Sequence, residues 1–154
     1  MGNGSIIQPG DVQRMTAGTG VRHSEFNASA DEPVHLLQIW IIPNADNLHP
    51  SYEQKAFTVD ERRNQLRLIA SSNGRDGSVT VNQDISLLAA ILDPGQSVEY
   101  SIDQKRYGWL QVTRGTVEVN GEQAKQGDGV VIVAESSLAI RAVEPAEMLL
   151  FDLV

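Results

Sequence analysis

Short apolar runs, many of them β-branched, recur along the chain and are cut apart by glycine, proline, asparagine and aspartate. The run Val34-His35-Leu36-Leu37-Gln38-Ile39-Trp40-Ile41-Ile42 is apolar on both alternating faces and stops at Pro43, which predicts a strand buried on both sides. Residues 66–69 alternate ahead of a Ser71-Ser72-Asn73-Gly74 turn. Further strands are predicted at 79–81, 85–92, 109–113, 116–119, 130–133, 138–143 and 148–153. Between 116–119 and 123–125 stands Asn120-Gly121, a type I′ hairpin signal, because both residues tolerate positive φ. Only 50–63 has room for a turn or two of helix. The expected class is all-β, with turn signals in the second half spaced as in a sandwich or barrel.

The stretch between Pro43 and Asn64 is polar and carries Asn44, Asp46, Asn47, His49 and Pro50. It exceeds most connections within a compact domain and reads as a linker or a functional loop. The expected division is therefore residues 1–43, a connecting segment 44–64, and a second lobe 65–154.

An internal repeat supports two similar units. Gly4-Ser5-Ile6-Ile7-Gln8-Pro9-Gly10-Asp11 parallels Gly121-Glu122-Gln123-Ala124-Lys125-Gln126-Gly127-Asp128, with Asn3 matching Asn120. Each copy should run from a hairpin turn through a short strand to a Gly-Asp turn, which suggests two barrels in tandem. Only Met1 and Gly2 precede the first copy, so the first lobe is expected to start in mid-hairpin, without its opening strands.

Composition narrows the function classes. The 154 residues carry 12 basic and 20 acidic side chains, a formal charge of −8, which argues against nucleic-acid binding. No apolar run approaches a membrane span, and the first residues do not open a secretory signal. The absence of cysteine excludes disulfides, thiolate metal sites and cysteine nucleophiles, and a cytoplasmic protein is the default reading. No nucleophile elbow, P-loop or dinucleotide fingerprint is present.

The strongest candidate chemistry lies in Thr16-Ala17-Gly18-Thr19-Gly20-Val21-Arg22-His23-Ser24-Glu25-Phe26-Asn27. On a strand, His23 and Glu25 would project from one face, an imidazole nitrogen beside a carboxylate. That pair suits a divalent iron, nickel, copper, cobalt or zinc, although two donors fall short of the three a metal site normally takes from protein. His35 opens the expected buried strand and reads as a hydrogen-bonded core histidine; His49 reads as solvated. Extending the repeat without gaps sets Ile140 and Ala142 at the places of His23 and Glu25. The second lobe has no histidine, so it is expected to be metal-free. The acidic pairs Asp31-Glu32 and Asp60-Glu61 read as solvated, and Trp40 and Trp109 as core or pocket wall.

The stretch from Pro9-Gly10-Asp11 through Gly18-Thr19-Gly20 to Val21-Arg22-His23-Ser24-Glu25 resembles the second metal motif of pirin-family bicupins. Gly20-x-x-His23-x-x-x-Asn27 fits the end of the general cupin motif. Leu36-Leu37-Gln38-Ile39-Trp40-Ile41, Pro50-Ser51-Tyr52-Glu53-Gln54, Arg75-Asp76-Gly77-Ser78 and Leu149-Leu150-Phe151-Asp152-Leu153 are similar to bacterial pirin-like proteins, including those with quercetin dioxygenase activity. The resemblance implies RmlC-like double-stranded β-helix barrels, here the end of an N-terminal barrel followed by a complete C-terminal one. It implies a metal held only in the first barrel by three histidines and a glutamate. His23 matches the third histidine and Glu25 the glutamate. The other two belong to an H-x-H segment expected upstream of Met1, and this sequence contains no H-x-H. The implied reaction is dioxygen insertion into a flavonol, with Glu25 as base for the substrate hydroxyl. Two other readings stand beside it: a non-catalytic module that binds a partner protein, and a truncated fragment. A second copy of the chain covering the incomplete barrel is a further expected partner.

Overall fold

The computed structural model describes residues 4–154. Asn3, the expected counterpart of Asn120, lies outside the described residues, as do Met1 and Gly2.

From Arg67 onward the apolar alternation becomes paired strands. β1 is Asp11–Thr16, β2 Ser51–Ala56, β3 Arg67–Ser71, β4 Val79–Thr80, β5 Ile85–Leu92 and β6 Ser97–Ser101. β7 is Tyr107–Arg114, β8 Thr116–Val119, β9 Glu122–Lys125, β10 Gly129–Ile132, β11 Ser137–Ala142 and β12 Ala146–Leu153. A short helix, α1 (Val59–Arg62), begins at Thr58, whose hydroxyl and backbone exchange a reciprocal capping box with Glu61. No helix among the described residues is long and apolar enough to cross a membrane.

Three sheets result: a β1–β2 ribbon, a six-stranded sheet in the order β10-β7-β12-β5-β3-β4, and a four-stranded sheet in the order β6-β11-β8-β9. The larger two form a cupin-like, jelly-roll type of architecture. Their facing sides share one apolar core containing Leu88, Leu110, Val112, Val117, Ile140, Met148 and Leu150. Strict alternation along β11 and β12 drives this, since every second residue is buried. The other face of the six-stranded sheet carries a second cluster, with Phe57, Ile69, Val79, Ile85 and Leu87, on which Val12 and Ile41 pack. The β1–β2 ribbon therefore sits on the outer face of the sheet. Polar contacts secure it there: Thr80 N–H donates to Glu53 Oε2 (2.9 Å) and Lys55 Nζ donates to the Ser78 carbonyl (2.7 Å).

Asn120 and Gly121 take φ of +49° and +90° between β8 and β9, as the hairpin reading expects. Three strands were not anticipated. β6 buries only Val98. β1 and β2 are half-buried and polar, and their pairing is supported by cross-strand contacts such as Arg14 with Glu53 rather than by apolar alternation. β2 lies inside the 44–64 segment. The opposite error concerns 34–42. No strand forms there, and Val34, Leu36, Leu37, Ile39, Trp40 and Ile42 are exposed, Trp40 at 88%. A strand needs a partner for its N–H and C=O groups, and no described strand pairs with this run. His35 and Trp40, expected in a core, are exposed for the same reason.

Candidate metal centre

The approach to His23 and Glu25 is built by local turn chemistry. At the end of the first repeat copy, Gln8 N–H donates to Asp11 Oδ2 (3.0 Å) and Asp11 N–H donates to the Gln8 carbonyl (2.9 Å). Gly10, at φ +94°, closes the turn, and a Cβ there would stand 2.7 Å from the Phe57 carbonyl oxygen. The second copy repeats the device: Lys125 N–H donates to Asp128 Oδ2 (2.8 Å), Asp128 N–H to the Lys125 carbonyl (2.8 Å), and Gly127 takes φ +92°. β1 leaves the first turn and β10 leaves the second.

After β1 the chain turns again, with Gly20 N–H donating to the Ala17 carbonyl (2.8 Å). Gly18 packs so tightly on the 48–50 segment that a Cβ would fall 2.0 Å from the Leu48 carbonyl oxygen. This close approach fixes where the following segment departs. His23 and Glu25 then lie side by side, with Nδ1 and Oε1 3.8 Å apart, and their side chains are 41% and 37% exposed. The separation is too long for a hydrogen bond and leaves room for neither group to be spent on the other. The expected strand is absent, because no described strand pairs with residues 21–28, yet the two side chains converge.

The repeat gives this convergence a meaning. In the second copy, Val130 and Ile132 of β10 and Leu138, Ile140 and Ala142 of β11 all contact one core. Keeping the register of the turn, their counterparts are Gln13, Met15, Val21, His23 and Glu25. A polar pair thus replaces Ile140 and Ala142, two residues with no exposure at all. Gln13 also extends the polar character: its Nε2 donates to the Tyr52 hydroxyl (2.9 Å), which donates to Gln54 Oε1 (2.5 Å). Sequence reasoning missed Gln13, Tyr52 and Gln54; the gap-free extension of the repeat that reaches Ile140 also sets Val130 at the place of Gln13 and could have found the first of them.

Imidazole nitrogen and carboxylate oxygen suit a divalent transition metal, but the described residues contain no group of three or more histidine, cysteine, aspartate or glutamate side chains arranged to hold one. The pair offers two donors, and the described residues hold no complete site. His49 is exposed as expected. Asp31, Glu32 and Asp60 are exposed, whereas Glu61 is engaged by the α1 cap.

Facing sheets, a repeated Gly-Asp turn and an imidazole–carboxylate pair at core-facing repeat positions define a cupin-like all-β protein. The chain belongs to the pirin family: residues 68–153 match the quercetinase C-terminal cupin domain and residues 1–41 match pirin. It is 43% identical to a quercetin 2,3-dioxygenase of Escherichia coli strain K12 over 154 residues, covering 99% of this chain and 65% of that protein. The crystal structure of YhhW from Escherichia coli superposes with a TM-score of 0.92 at 40% identity, covering 100% of this chain and 64% of the other. A nickel(II) complex of bacterial pirin YhhW gives a TM-score of 0.85 at 42% identity, over 94% of this chain and 61% of the other. The chain thus spans less than two thirds of each of these relatives. It is a pirin-like cupin protein homologous to quercetin 2,3-dioxygenases.

Proposed function

We propose that this chain carries one side of the metal centre of a quercetin 2,3-dioxygenase-type pirin. His23 and Glu25 are the ligands it contributes, to a divalent transition metal such as the nickel(II) held by the relative. Further donors come from outside the described residues, from an adjoining segment or a second chain. The observation that carries the reading is the convergence of His23 and Glu25 at positions whose repeat counterparts, Ile140 and Ala142, face a sealed core. In this arrangement residues 1–43 belong to a first RmlC-like barrel, 65–154 form a complete second barrel without metal ligands, and 44–64 connects the two. The substrate class is a flavonol. Glu25 serves as the base that takes its hydroxyl proton, a role that needs a carboxylate within hydrogen-bond reach. The expected location is the cytoplasm; without cysteine the chain needs no oxidising compartment to fold.

Titration of the chain with nickel(II), followed by calorimetry, tests the assignment. One weak site is expected, weak because two donors make an incomplete coordination shell, and it disappears in both His23→Ala and Glu25→Gln. Binding unchanged by either substitution would refute it. The histidine-free second unit favours one alternative, a partner-binding module. In that case nickel(II) and chelators leave the melting temperature unmoved.

A further inference from the structure

Away from His23 and Glu25, the second unit opens a cleft of about 390 Å³ lined by Gln65, Leu66, Leu68, Leu88 and Tyr100 with two arginines, Arg67 and Arg75, and two carboxylates, Glu61 and Asp76. That volume is in the range of small-molecule sites. Leu68 and Leu88 are core residues and Leu66 packs against them, so the floor is apolar. The rim is polar, and its donors are underused.

Arg67 is the informative residue. Its side chain is only 24% exposed, and its guanidinium lies over the Phe57 ring, 5.3 Å from the centroid. Its Nε is buried and has no hydrogen-bond partner among the described residues. The carboxylate beside it, Glu61, stands 3.6 Å away and comes no closer. Glu61 is held by the α1 cap, where Oε2 accepts from Thr58 N–H (2.8 Å) and the Thr58 hydroxyl (2.9 Å). A half-buried guanidinium with unspent donors is costly unless something completes it. Arg75 spends one nitrogen on the Ser86 hydroxyl (2.7 Å), and Tyr100 donates its proton to Asp152 (2.6 Å), leaving the phenol oxygen as an acceptor.

The geometry points to a binding site for a small monocarboxylate with an apolar, aromatic-sized body. The body rests on Leu66, Leu68 and Leu88, and the carboxylate takes the donors of Arg67 and Arg75. The planar fork of a guanidinium matches a carboxylate's two oxygens. Glu61 and Asp76 offset the two arginines, so the cleft disfavours a polyanion, and a single carboxylate is placed there by the open guanidinium donors rather than by net charge. The site uses neither His23 nor Glu25 and stands independently of the metal assignment.

Titrating phenylpropionate into the full chain while following backbone amide shifts by NMR tests this. Saturable shifts are expected at Leu66, Leu68, Leu88 and Tyr100, with a Kd of about 1 mM. Neutral phenylpropanol, the same body without the charge, should bind about tenfold more weakly. Arg75→Gln and Arg67→Gln should each weaken phenylpropionate binding about tenfold, and Arg67→Lys, which keeps the charge without the fork, should fall between. Because Arg67 also packs on Phe57, Arg75→Gln and the alcohol control decide the matter if Arg67→Gln fails to fold. Shifts that do not saturate, that map elsewhere, or that are equal for acid and alcohol would overturn the proposal.

Discussion

The two copies of the repeat share one turn and differ on either side of it. The short strand expected at 5–8 does not form, whereas its counterpart 122–125 is β9, paired with β8. Both close a Gly-Asp turn with the same pair of hydrogen bonds and a glycine near φ +90°. In the second copy the chain continues into β10, paired with β7, and β11, held between β6 and β8. In the first copy β1 pairs with β2, but the counterpart of β11 has no strand partner among the described residues and carries His23 and Glu25 half-exposed. Local sequence is thus sufficient for the turn, whereas a strand needs its neighbours. The same fold position serves as sealed core in one copy and offers polar donors in the other.

The largest effect that separates the copies lies at this shared position. Ile140 is fully buried in the main core, so Ile140→Ala should cost about 3 kcal/mol of unfolding free energy through lost burial and a residual cavity. The matching His23→Ala should stay within about 0.5 kcal/mol, because a half-exposed side chain leaves no cavity. Urea unfolding of both variants measures the contrast. Equal losses would mean that His23 is packed as tightly as its counterpart and that the copies do not differ as described.

A smaller effect separates the copies by pH. Glu53 docks the ribbon on the sheet, and its carboxyl is held below the ordinary range, first by the Thr80 N–H, then by Lys55 and Arg14. A lowered value in the folded state means that this support is present above the usual carboxylate range. It is lost as pH falls through the lowered value. Tyr100, in the second unit, is pushed upward by burial and then by its hydrogen bond to Asp152. Its support holds below the ordinary tyrosine range and fades as pH rises through the raised value. Amide exchange should therefore open Val12 and Arg14 first in acid, and Tyr100 and its β11 partner Leu138 first in alkali. Glu53→Gln should remove the acid sensitivity of the ribbon while costing about 2 kcal/mol, the worth of hydrogen bonds to a charged group.

What was legible in the sequence follows the same division. Residues 116–125 were readable because β8, the Asn120-Gly121 turn and β9 are neighbours along the chain and in space. The run 85–92 was readable because both of its faces are buried. The run 34–42 has the same apolar signature and is exposed, since burial depends on partners that periodicity does not reveal. β1 and β2 escaped notice for the converse reason: their pairing joins positions 11–16 to 51–56 through polar contacts. His23 and Glu25 were visible as an i, i+2 pair, which extended backbone alone brings to one side. The cleft was invisible. Arg67 reaches it from β3, Arg75 from the 3-10 turn at Arg75–Gly77, and Tyr100 from the other sheet.

The finest test concerns the device the copies share. Asp11 and Asp128 each accept a backbone N–H three residues earlier, and Asp11 also accepts from Gln54 Nε2 (2.8 Å), a bond with no counterpart in the second copy. If the turns are equivalent, Asp128→Ala should cost about 1 kcal/mol, the net worth of one such hydrogen bond. Asp11→Ala should cost slightly more at the ribbon, because it also releases Gln54, which holds the Ile6 carbonyl at 2.9 Å. The difference should appear as faster amide exchange along β1 in Asp11→Ala, with β10 unchanged. Asn at either position keeps an acceptor oxygen and should recover most of the loss. If Asp11→Ala leaves the β1 amides as protected as before, the first turn is held by Gly10 and the Phe57 contact alone, and the likeness of the two copies stops at their backbones.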